Sequence, residues 1–159
     1  MIDFDDNKFI EIKEKAEIFY KNIGEIYCPY FINTKVVFNS KGLEHLKFKT
    51  KNHARSQADQ FTRLKLIHLA LEVIKNSKTI QGISYTKNFE DIRCNSRTDK
   101  VLKDITYYEF IAVMDNKRVR VVLKQIENGP IYFWSIIPFW KINKDRGKRI
   151  MNSSNLESD

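Results

Sequence analysis

Cysteine is scarce in this chain. Only Cys28 and Cys94 occur, far apart and outside any CxxC or Cys/His cluster. That argues against a disulfide scaffold or a zinc site and fits a reducing cytosol. Glycine and proline are also few, 5 and 3 among 159 residues, while 42% are hydrophobic and 30% charged. A fibrous or disordered chain is excluded by that balance, and one domain is expected at this length. No apolar run approaches the roughly 20 residues that span a bilayer. The opening Met1–Asp6 is acidic where a secretory leader would be basic and then apolar, which predicts a cytoplasmic protein. The motifs GxxxxGK[ST], GxGxxG, HExxH and GxSxG are missing. Beyond residue 34 the 13 acids are scattered rather than clustered as a two-metal nuclease requires, so no metal or organic cofactor is expected.

What the chain does have is unevenly placed charge. Residues 1–34 hold seven acids and four lysines; residues 35–159 hold 24 basic and 13 acidic side chains, a net of +11. A basic region of this kind suits a polyanion, because bound cations release the counterions condensed on a phosphate backbone. The densest stretch, 35–65, has eight basic and two acidic residues.

Periodicity divides the chain in two. Phe9, Ile12, Ala16, Phe19 and Ile23 recur at helical steps and predict an amphipathic helix over 5–23, with Asp5 and Asp6 at its start and Gly24 as its stop. Ile26–Phe31 contains Pro29 and reads as a loop or edge strand. Lys35–Phe38 reads as a short strand. Ser40 is the expected cap of a short helix over Gly42–Phe48, and one long helix is expected from His53 to Asn76. After Lys78 the pattern changes to period 2. Strands are expected at 79–86, 105–114, 118–126 and 131–138, with 87–100 a long polar loop. Asp115-Asn116-Lys117 and Asn128-Gly129 carry turn chemistry. The fold class is α+β: N-terminal helices on a C-terminal antiparallel meander of about four strands. Three regions follow, an acidic helix and connector (1–34), the main domain (35–142) and a polar, mobile tail (143–159).

Few residues offer chemistry. His45 lies at the head of the most basic stretch, and an imidazole can serve as base or acid near neutrality. Arg55, Arg63, Lys65 and His68 are cationic or titratable positions on the long helix. Arg120 and Lys124 share one face of a strand by alternation, and Ser135 is the only small polar residue in the apolar run Tyr132–Ile137. Tyr107, Tyr108, Tyr132, Phe133, Trp134, Phe139 and Trp140 lie on or after the meander. Most of them are expected in the core, with one or two left to stack on a base.

The segment from Arg118 to Pro138 resembles the paired last strands of the metal-independent ribonuclease superfamily that includes barnase, EndoU, colicin D and RelE, in its phage and mobile-element branch. There a basic residue precedes a Ser or Thr in an apolar strand. The layout from Val36 through Leu43-Glu44-His45 to Lys75 is similar too, so the likeness covers roughly residues 35–140. It implies RNA cleavage, tRNA included, by attack of the 2′-hydroxyl on the adjacent phosphate. His45 would then be base or acid, Arg63 and Lys124 would hold the phosphate, and Ser135 would bond a phosphate oxygen. Arg55, Lys65, His68 and Arg120 would add RNA contacts. An acidic immunity or antitoxin protein would suit the basic surface as partner. The competing reading is an inactive nucleic-acid-binding or protein-interaction module.

Overall fold

The computed structural model describes residues 6–114, 116–138, 142–143, 148–149 and 156–157. Asp5, Asp115, Phe139, Trp140 and most of the polar tail lie outside the described residues. Among the described residues the architecture is α+β, four helices and a mostly antiparallel sheet. No helix among the described residues is long and apolar enough to cross a membrane.

Helix α1 (Asp6–Ile23) leads into strands β1 (Glu25–Tyr27) and β2 (Lys35–Val37), then helix α2 (Ser40–Lys47). The cap of α2 is Asn39 rather than Ser40: its side-chain oxygen accepts from the Gly42 amide at 3.2 Å. A side chain at Gly42 would run into the Phe133 carbonyl and the Tyr20 hydroxyl, so glycine lets α2 sit directly on the sheet. Beyond α2, β3 (Phe48–Thr50) and β4 (His53–Ala54) form a small antiparallel ribbon.

The expected single helix over 53–76 is instead this ribbon strand followed by α3 (Gln57–Lys65) and α4 (Ile67–Asn76). Ser56 caps α3 by accepting from the Asp59 amide. The reason for the break is the apolar pattern. Leu64, Leu66, Ile67, Leu69 and Ala70 are all buried, too wide an arc for one straight stripe, and the chain turns at Leu66 to bury them all.

The main sheet has the order β1-β2-β8-β7-β6-β5, with β5 (Gly82–Cys94), β6 (Arg97–Met114), β7 (Lys117–Ile126) and β8 (Ile131–Pro138). The meander is thus extended by β2, parallel to β8, and by β1 at the edge. Residues 87–100, expected as a loop, are the outer half of a long β5–β6 hairpin, closed at Asn95 and Ser96 with φ of 49° and 66°. Both faces of that arm are largely exposed, so no apolar alternation marks it. Tyr20 and Cys28 share one buried cluster with Phe110, Val121, Phe133 and the α3–α4 side chains.

Candidate nucleic-acid cleft

The sheet has two dissimilar faces. Val119, Val121, Leu123, Phe133 and Ile136 point into the helix-covered core. On the other face Ile105, Tyr107, Val122, Tyr132, Trp134 and Ile137 form a second cluster. Alternation sorts these residues until Val122 pairs with Ser135 while Leu123 pairs with Phe133. Trp134 is therefore an extra residue, a bulge that re-aims the end of β8.

A cleft of about 660 Å3 opens beside Trp134. Its walls come from α2 and the β3 ribbon (Lys41, His45, Lys49, Lys51), from the β5 arm (Glu90, Asp91) and from the sheet (Lys124, Tyr132, Trp134). The His45 ring stacks on Trp134, centroids 4.0 Å apart and planes 17° apart. Lys124 Nζ lies 4.1 Å from the centroid of the same indole. An imidazole from the helices and an ammonium from the strands thus meet on one aromatic ring.

Lys124 is 1% exposed and donates to Glu90 at 3.0 Å and to both carboxyl oxygens of Glu157 at 2.9 Å. Burial pulls its pKa down from the usual lysine value, and Glu90 opposes that shift. Tyr132 is buried too, and its hydroxyl has no hydrogen-bond partner among the described residues. Burial raises its pKa.

His45 is held by Arg55, which donates from Nε to the His45 carbonyl at 2.9 Å and lies with Nη2 3.1 Å from the ring Nε2. A guanidinium only donates, so Nε2 must accept and the ring is neutral with its proton on Nδ1. The His45 Nε2 is therefore engaged by Arg55 and not available as the base the resemblance implied.

Arg63 and Ser135 also meet, although not in the cleft. Arg63 Nη1 donates to Ser135 Oγ at 2.8 Å and to the Ile136 carbonyl at 3.3 Å, and its Nε donates to Asp59 at 2.8 Å. They are 2% and 0% exposed. Asp59 also pairs with Arg55 at 3.4 Å. A polar chain therefore runs from His45 through Arg55, Asp59 and Arg63 to Ser135, bracing α2, α3 and β8 behind the cleft wall. The four residues assigned to the chemistry, His45, Arg63, Lys124 and Ser135, are all buried.

The remaining sequence candidates do not line the cleft. Arg55 is in the brace. Lys65 lies over the Phe61 ring at 5.0 Å, and His68 lies against the Lys65 carbonyl in a shallow groove beside α1. Arg120 is paired with Glu109 at 3.5 Å.

Sequence reasoning missed Glu90, because it lies in the arm taken for a loop, and Glu157, because it lies in the tail expected to be mobile. Tyr107 and Tyr132 were seen only as aromatics. The cleft sets Lys41, Lys49, Lys51 and Lys124 against Glu44, Glu90, Asp91 and Glu157, so it lacks the excess positive charge of the chain. No protein family, curated protein or solved structure matches this chain.

Proposed function

We propose that this chain is a toxin-like, metal-independent endoribonuclease that takes single-stranded RNA, tRNA included, into the cleft at Trp134. It would act in the cytoplasm and be restrained by an acidic partner. The observation that carries the reading is the His45–Trp134–Lys124 stack, which holds an imidazole and a cation for a phosphate on one ring at the cleft. The superfamily likeness of 118–138 supports the same chemistry.

The 2′-oxygen attacks phosphorus and the bond to the 5′-oxygen breaks, leaving a 2′,3′-cyclic phosphate. The proton of the 2′-hydroxyl needs an acceptor, and the Glu90 carboxylate beside Lys124 offers one. Lys124 faces the developing negative charge. The leaving oxygen takes a proton, for which the unpartnered Tyr132 hydroxyl is the donor. Arg63 and Ser135 act through the brace, as positioning residues.

The test is cleavage of total RNA and tRNA in EDTA, comparing wild type, Glu157→Ala, Lys124→Met and Tyr132→Phe, each checked for folding by circular dichroism. Lys124→Met is expected to lose on the order of 10²–10³ in rate, the size of one transition-state charge contact. Intact RNA after incubation with folded wild type and folded Glu157→Ala would sink the cleavage reading. Salt-dependent binding with a log–log slope of about −0.7 per phosphate would then favour a silent binding module. Absence of such binding would favour a protein-interaction domain.

A further inference from the structure

Leu156 and Glu157 reach back into the cleft. Leu156 packs on the cluster of Val122, Tyr132 and Trp134. Its carbonyl accepts from the Trp134 indole Nε1 at 3.0 Å. The Glu157 carboxyl takes both Lys124 bonds at 2.9 Å and a bond from the Tyr107 hydroxyl. Contacts therefore come from three adjacent strands, β6, β7 and β8, and they include an apolar anchor, a backbone bond and Lys124 bonds to both oxygens of one carboxyl group. Two planar oxygens on one ammonium and one phenol is the arrangement that two phosphate oxygens would take.

We infer that Lys124, Tyr107 and Trp134 form an anion seat, and that the chain's own Leu156-Glu157 pair is its resident ligand, competing with the RNA phosphate. This rests on the reading of the cleft as an RNA site and adds its regulation. With Glu157 in place its two oxygens occupy the Lys124 ammonium; with Glu157 withdrawn, Lys124 is released to a phosphate. Tyr107 thereby becomes a binding residue, and an RNA strand reaches Lys124 only by displacing the tail.

The experiment uses the full chain and two readouts. One is anisotropy of a fluorescein-labelled single-stranded DNA octamer, which lacks the 2′-hydroxyl and so binds without being cut. The other is hydrogen exchange of the Trp134 indole proton, whose signal must be told apart only from that of Trp140. Glu157→Ala and Leu156→Ser are expected to tighten the probe on the order of tenfold, the size of one charge-assisted hydrogen bond, and to speed indole exchange. A free peptide of sequence Asn-Leu-Glu-Ser-Asp added to Glu157→Ala is expected to reverse both effects. Equal affinity in wild type and variants, with the probe bound, overturns the competition while the RNA reading stands. If no chain binds the probe but the indole still responds to the substitutions and the peptide, the RNA reading fails and the tail remains the ligand of the seat. Indifference of both readouts overturns the inference outright.

Discussion

Phe133 and Trp134 are consecutive, yet they belong to different parts of the molecule. Phe133 is fully buried on the helix side, its ring stacked on Phe38 at 5.0 Å and set edge-on to Tyr20 at 6.0 Å. Trp134 faces the other way, under His45 on one side and Lys124 on the other. One face of the sheet is closed by four helices and is apolar; the opposite face is closed in part by a few tail residues and holds ionised groups. Stability is thereby concentrated on the first face and ligand chemistry on the second, within one strand.

The largest effect is expected from breaking the brace that links the two faces. Asp59→Ala removes the carboxylate shared by Arg55 and Arg63. Two buried guanidiniums then lose their counterion, at a cost of about 3–5 kcal/mol in urea denaturation. Ser135→Ala should cost less, about 1–2 kcal/mol, because Arg63 Nη1 keeps the Ile136 carbonyl. Equal losses for the two would show that Asp59 does not anchor the chain of bonds.

Next come the neighbouring aromatics. Phe133→Ala empties the helix-side core and should cost about 3–5 kcal/mol. Trp134→Phe keeps an apolar ring and should cost under about 1.5 kcal/mol, yet weaken oligonucleotide binding because the indole holds cations better than a phenyl ring. If Trp134→Phe destabilised as much as Phe133→Ala, the division of labour between the faces would be wrong.

A pH titration sharpens the same contrast. Burial, with Glu90 adding, holds the Glu157 carboxyl up to about 8. The docked tail therefore keeps a proton that the released tail gives up. Docking is complete below the ordinary carboxylate range and is lost as pH rises through about 8. Lys124, Glu90, Tyr107 and, across the cleft, Lys41 are the charged or titratable groups facing it. Indole exchange at Trp134 should speed up from pH 7 to 9, and the affinity gap between wild type and Glu157→Ala should close. Exchange that slows across that range would reverse the sign and refute the protonated tail.

The smallest effect is expected outside both regions. Lys65→Ala and His68→Ala lie on the helix surface away from the cleft. Each should change stability by less than about 0.5 kcal/mol and leave RNA binding untouched. A loss of affinity there would relocate the site to the α1–α4 groove.

The legible part of the fold was the part with strong periodicity. β7 and β8 fall where alternation put them, because a strand with one buried face repeats every two residues. The outer β5–β6 arm was not legible, since backbone pairing holds it together with both faces wet. Of the site, His45 and Lys124 were legible as cations or titratable groups near apolar elements. Their common ring was not, because nothing local to either segment brings the α2 imidazole onto β8.

By itself the sequence determined the α+β class, the central strands, the helical faces and the segregation of charge, all of them local in origin: they depend on residues within a turn or two of each other. Only the tertiary structure decided that Arg63 bonds Ser135, 72 positions away, and that Glu157 reaches Lys124 from 33 positions downstream. It also decided that the four lysines lining the cleft meet as many acids there. Such pairings carry no periodic signal, because a buried charge selects whichever counterion the packing of other elements brings within reach.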